Sequence, residues 1–163
     1  MHKPIRILYT NVDCITNKMN EIRVLLKKGY FEYDVLIFTE TNCKNIANEY
    51  DEVEFQLSGF KLYTRNFMVK GFRGIFCYVR SEFHFIEIDL ANGFNEYLCL
   101  RSWGICADIL ILIIYRSPNS IGINNCNLMS LLNAFYLMTG VKIVLGDFNL
   151  PGIDWANIST VFG

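Results

Sequence analysis

The chain has 163 residues, 52% of them hydrophobic, 15% aromatic and 19% charged. That is the size of one ordinary domain with a sizeable core, and it excludes a disordered chain, a coiled coil and a collagen-like repeat. A formal charge of −1 excludes a protein that coats nucleic acid through broad positive charge, so any contact with a polyanion must come from a local groove.

Ile5 to Thr10 reads as a strand that stops at Asn11. Thr16-Asn17-Lys18 then opens a helix whose Met19, Ile22, Leu25 and Leu26 form one apolar stripe, closed by the cationic turn Lys27-Lys28 and by Gly29. Asp34 to Thr39 is an almost continuous apolar run, the pattern of a strand covered on both faces, and it ends at Glu40-Thr41. From residue 55 the alternation predicts an antiparallel meander: Phe60 to Thr64, Gly74 to Val79, Phe83 to Asp89, Tyr97 to Trp103 and Ile109 to Tyr115. Lys61, Arg65, Lys70 and Arg73 cluster around one of its loops, as a local basic rim or a solvated hairpin. Ser117-Pro118-Asn119-Ser120 is a turn, Leu128 to Leu137 a helix with Leu128, Leu131, Leu132 and Phe135 on one side, and Lys142 to Leu145 a last buried strand ending at Gly146-Asp147-Phe148-Asn149. The expected class is an α/β layered sandwich in one domain, 1–163.

The six cysteines form no Cys-x-x-Cys pair, which argues against a zinc site. No secretory signal opens the chain, so reduced thiols in an intracellular protein are expected. The longest apolar run, Ile105 to Tyr115, is broken by Asp108 and is shorter than the roughly 18 residues of a membrane span.

Polar residues recur where apolar strands stop: Asn11, Glu40, Tyr115, then Asp147 and Asn149. Separate strand ends of this kind are how a rigid sheet gathers a site at one edge. Glu40 and Asp147 suit a hard divalent cation such as Mg²⁺, while Asn11 and Asn149 add neutral oxygen and N–H groups. Hydrolysis of a phosphate ester is the chemistry such a set serves best. The competing reading is that Asn and Asp here only form turns.

Four stretches carry a resemblance. They are Thr10-Asn11-Val12-Asp13 with the helix after it, Asp34 to Thr41, Tyr115-Arg116-Ser117-Pro118, and Gly146-Asp147-Phe148-Asn149-Leu150-Pro151-Gly152-Ile153-Asp154-Trp155. Together they resemble the endonuclease/exonuclease/phosphatase superfamily, and within it the AP-endonuclease-like domain of non-LTR (LINE-type) retrotransposons. The resemblance implies a four-layer α/β sandwich of the DNase I type, incomplete at its C-terminal end. It implies Glu40 as the principal ligand of Mg²⁺ (or Mn²⁺), with Asn11 close by and Asp13 assisting through the metal's waters or serving only as a turn residue. Asp147 would orient or deprotonate the attacking water, Asn149 would hold the scissile phosphate, and Tyr115 would hydrogen-bond the same group or only close its strand. Arg116 and Arg73 are the weaker candidates for contact with DNA phosphate. Asp154-Trp155 looks structural.

This sequence departs from that family in one respect. The family completes its site with a late Asp and an Asp-His pair, whereas the two histidines here, His2 and His84, follow no Asp. The expectation is a DNA-nicking hydrolase domain that leaves a 3′-OH, with residues 1–163 alone nicking poorly or not at all. DNA is the implied partner, with no membrane and no stable protein partner, and the location would be nuclear for a working element. The alternatives are a catalytically silent remnant and a phosphodiesterase of lipid or inositol phosphates.

Overall fold

The computed structural model describes residues 4–29, 32–44, 50–90, 93–102 and 108–150. The run Val35–Thr39 is buried at every position, as its almost continuous apolar character requires. It forms β2, an inner strand of a four-stranded sheet. Its neighbours are β1 (Ile7–Asn11), which runs parallel to it, and β4 (Ile75–Arg80), which runs antiparallel and in turn pairs with β3 (Phe60–Arg65). The second sheet has the order β5 (Phe85–Glu87), β6 (Tyr97–Ser102), β7 (Ile109–Tyr115), β8 (Val141–Asp147), antiparallel except for the parallel pair β7 and β8. The helix α1 (Met19–Lys27) connects β1 to β2, and α2 (Gly122–Leu137) connects β7 to β8.

Side-chain alternation along the strands divides the apolar residues among three layers of core. Val35, Ile37, Cys77 and Val79 from one sheet meet Leu98, Leu100, Ile111 and Ile113 from the other. The opposite faces carry Leu36, Phe38, Phe76 and Tyr78 against Met19 and Ile22 of α1, and Cys99, Leu110, Leu112 and Ile114 against Leu128, Leu131 and Phe135 of α2. The result is helix, sheet, sheet, helix: the DNase I-like α/β sandwich that the resemblance implies. Among the described residues no helix is long and apolar enough to cross a membrane.

Four expectations need correction. The meander is not continuous, because β5 leaves β4 and starts the second sheet; a period-2 pattern fixes which face a residue occupies but not which sheet. β8 is not a buried strand. It lies at a sheet edge, with Val141 56% and Val144 44% exposed. α2 begins at Gly122, before the expected Leu128, across a polar turn that contains Asn124 and Asn125. Finally, Cys14 and Cys43 form a disulfide, with Cα atoms 4.5 Å apart, because the chain segments after β1 and β2 run side by side. Cys77 and Cys99 are free, buried thiols as expected, and burial pushes the Cys99 thiol up to about 12. His2, Cys106 and the segment Pro151 to Trp155 lie outside the described residues.

Candidate active site

Each sheet has one parallel strand pair, and the last residues of a parallel pair finish side by side. In the first sheet Asn11 pairs with Thr39, so Glu40 follows directly beside it. In the second sheet Tyr115 pairs with Asp147. The two pairs meet across the sandwich. Asn11 Nδ2 donates to Asp147 Oδ2 at 3.3 Å, bridging 136 residues of sequence, and the Tyr115 hydroxyl donates to Glu40 Oε1 at 3.2 Å, bridging 75. Ligand sites of α/β sheets lie beyond the carboxyl ends of the strands, and here four such ends converge.

The backbone at this edge is unusual. Among the described residues six non-glycine residues have positive φ. Four are Asp13, Cys14, Glu40 and Asn149, at or just beyond these strand ends. The other two, Asn66 and Met68, are in the loop that leads to Arg73. Such residues cost of order 1 kcal/mol each and cluster where function requires them. Local hydrogen bonds sustain two of the turns in the same way: Asp13 N donates to Asn11 Oδ1 at 3.1 Å, and Asn149 N donates to Asp147 Oδ1 at 3.2 Å.

Arg73 lies over the acidic residues. Its Nη2 donates to Asp13 Oδ1 at 2.6 Å and to Glu40 Oε2 at 2.5 Å, and its side chain is only 16% exposed. Lys44 Nζ stands 3.3 Å from the same Asp13 oxygen. Arg73, and after it Lys44, hold the Asp13 carboxyl below the usual carboxylate range. Burial first, and then the Glu40 carboxylate, push the Tyr115 hydroxyl above its ordinary value, so it remains a neutral donor. Tyr9, which shares a 3.1 Å hydrogen bond with Thr39 Oγ1, is raised too, mainly by burial.

The candidate residues do not all face one space. Asn11, Asp13, Glu40, Tyr115 and Asp147 come together. Asn149 is adjacent, but its Nδ2 donates to the Arg116 carbonyl at 2.9 Å. Arg116 is 5% exposed and turned inward, its guanidinium donating to the carbonyls of Ser117, Phe148, Asn149 and Ser120 and to Asn125 Oδ1. Of the basic cluster, Lys61 covers the Tyr63 ring, and Arg65 covers the Tyr97 ring while standing 3.8 Å from Glu87. Lys70 and Arg73 instead line a groove of about 510 Å³ together with Lys44, Met68 and Phe72.

Two contributors were missed in the sequence. Lys44 has no motif around it. Asn42 is 2% exposed and organises the β3–β4 loop: its Nδ2 donates to the carbonyls of Asn66 (2.8 Å) and Phe72 (3.0 Å), its Oδ1 accepts from Met68 N, and its backbone N–H donates to the Arg73 carbonyl at 2.7 Å. Its place two residues after Glu40 was the only available signal.

Among the described residues no group of three or more His, Cys, Asp and Glu could hold a metal ion. The available donors are all oxygens: the Glu40 and Asp147 carboxylates, the Asn11 amide, and Asp13 at the rim. That set suits a hard cation that keeps several of its waters, not a zinc ion. A cationic guanidinium already rests on Glu40, so the environment favours positive charge there. The residues fit Mg²⁺.

No family model matches this chain, and no curated protein does. Its fold is similar to that of the endonuclease domain of TRAS1, a telomere-specific non-LTR retrotransposon (TM-score 0.64, 12% identity, 92% of this chain and 63% of that one). It is also similar to AP endonuclease LMAP from Leishmania major (TM-score 0.62, 13% identity, 90% and 55%) and to TDP2 from Caenorhabditis elegans (TM-score 0.56, 16% identity, 90% and 47%). This chain therefore spans less than two thirds of the length of each.

Proposed function

Starting from the endonuclease/exonuclease/phosphatase fold that this chain has, we propose that its strand-end site hydrolyses phosphodiesters with the help of Mg²⁺. We further propose that its substrate is DNA, nicked to leave a 3′-OH, as the resemblance of its motifs to non-LTR retrotransposon endonuclease domains implies. One observation carries the reading: four residues from separate motifs, Asn11, Glu40, Tyr115 and Asp147, form two contacts across the sandwich at one sheet edge.

In this reading Glu40 and the Asn11 amide oxygen would hold the cation, which when bound would supply Lewis-acid stabilisation of developing phosphate charge. Asp147 lies one hydrogen bond from Asn11 and orients the attacking water, taking up its proton. The neutral Tyr115 hydroxyl, and Asn149 Nδ2 once it leaves the Arg116 carbonyl, donate to the nonbridging oxygens of the scissile phosphate. Lys44 and Lys70 provide a local positive path for the backbone on a chain without overall positive charge.

Low activity is expected of this chain, because neither His2 nor His84 follows an Asp. His84 is exposed just before β5, at the edge of its sheet opposite β8, and does not supply the phosphate-binding histidine of the resemblance. Loss of one donor to developing transition-state charge typically costs about 10²–10³-fold. In a supercoiled-plasmid assay with Mg²⁺ the chain is expected to nick at least about 10²-fold more slowly than the TRAS1 endonuclease domain. The residual nicks should disappear in Glu40→Ala. Nicking at a comparable rate would overturn the expectation of a weak site, and residual nicking unaffected by Glu40→Ala would overturn the assignment of Glu40.

A further inference from the structure

We propose that Arg73 is a resident counter-cation of the Asp13 and Glu40 carboxylates, which an incoming divalent metal displaces and which then turns toward the anionic substrate. The inference rests on the reading of Glu40 as the metal ligand.

Both oxygens of Glu40 already have a donor, Oε1 the Tyr115 hydroxyl and Oε2 Arg73 Nη2. A cation approaching Oε2 competes with Arg73 for the same lone pairs, and two positive charges a few ångströms apart repel strongly at a site only 18% exposed. The guanidinium is also poorly satisfied where it lies. One nitrogen, Nη2, serves both carboxylates instead of forming a two-nitrogen fork, and Nε is buried without a partner among the described residues. A buried unpaired N–H is unfavourable, so this arrangement leaves one donor available for another acceptor.

The exchange requires only side-chain rotation. Asn42 fixes the loop backbone at Asn66, Met68, Phe72 and Arg73, so the Arg73 Cα stays in place while its side chain swings. Arg73 lines the same groove as Lys44 and Lys70, so its guanidinium turns where positive charge is concentrated. In the absence of metal, Arg73 neutralises carboxylates that would otherwise repel one another. With metal bound, its guanidinium is released from Glu40 to donate to phosphate from the groove it already lines.

The test is calorimetric titration of the whole chain with Mn²⁺, comparing wild type, Arg73→Gln and Glu40→Gln. Arg73→Gln is expected to bind Mn²⁺ about tenfold more tightly than wild type, the worth of one charge-assisted contact no longer competing. Glu40→Gln is expected to bind at least about tenfold more weakly. On wild type itself, the side-chain ¹⁵N–¹H signals of Arg73 should move when Mg²⁺ is added, a readout that needs no variant to fold. If Arg73→Gln binds no more tightly while Glu40→Gln loses binding, the exchange is overturned and the metal assignment stands. An Arg73 signal unmoved by saturating Mg²⁺ overturns it equally. If Glu40→Gln binds as wild type does, the metal assignment itself fails.

Discussion

Gly146→Ala should lower the unfolding free energy by roughly 3–5 kcal/mol, among the largest effects expected of a single methyl group. Gly146 pairs with Ile114 across the parallel β7–β8 ladder and has φ +143°, a conformation that L side chains rarely adopt. A Cβ built there falls well inside contact distance of the Ile114 carbonyl oxygen and close to the rest of that peptide unit. The obstacle is backbone within a hydrogen-bonded ladder, so it cannot rotate away as a side chain would. The close approach also sets where Asp147 begins, one residue later, opposite Tyr115. Gly122→Ala is the control. Gly122 opens α2 with free space around its Cα, so alanine there should be neutral or stabilise by up to about 1 kcal/mol. Urea midpoints of the two variants decide the matter, and equal midpoints would contradict this account of β8.

Arg116→Met should cost about 3 kcal/mol or more, through a different mechanism. Arg116 is the pin between the turn after β7 and the loop after β8. Its Nε donates to Asn125 Oδ1 at 2.8 Å, its Nη1 to the Asn149 carbonyl at 2.7 Å, and Asn149 Nδ2 answers by donating to the Arg116 carbonyl. Methionine fills most of the volume but leaves these part-buried acceptors unpaired. Arg116→Lys should recover little, because one ammonium cannot replace a planar fork directed at several carbonyls. The specific signature is loss of order at Asn149, measurable as faster amide hydrogen exchange at residues 148–150 than in β7. Exchange unchanged in that segment would remove Arg116 from its role as the pin.

The buried runs made much of the fold legible. Val35–Thr39 has no polar face and is an inner strand, while the stripe Met19, Ile22 does lie against a sheet. The strand-end residues were legible for a related reason: a polar side chain directly after an apolar run has little room to be elsewhere. What failed was non-local. Nothing in Phe83 to Asp89 says that its strand joins the second sheet, because alternation is the same in either. Arg73 and Arg116 looked like surface cations, yet both are turned inward by acceptors 33 residues away, at Glu40 and at Asn149. Cys14 and Cys43 are 29 residues apart, and only the parallel β1–β2 pairing brings them together. The start of α2 was hidden by asparagines with poor helix propensity, which tertiary packing of Leu128, Leu131 and Phe135 overrides.

The assignment of Glu40 as a metal ligand requires residues from four strand ends to make one divalent-cation site. Crystals soaked in Mn²⁺ test it directly through the anomalous scattering of the ion. A peak is expected about 2.0–2.4 Å from a Glu40 carboxylate oxygen, with Asn11 and Asp147 around it and Arg73 swung off Glu40. No peak at Glu40, or one held by other residues while Arg73 stays on Asp13 and Glu40, would contradict it.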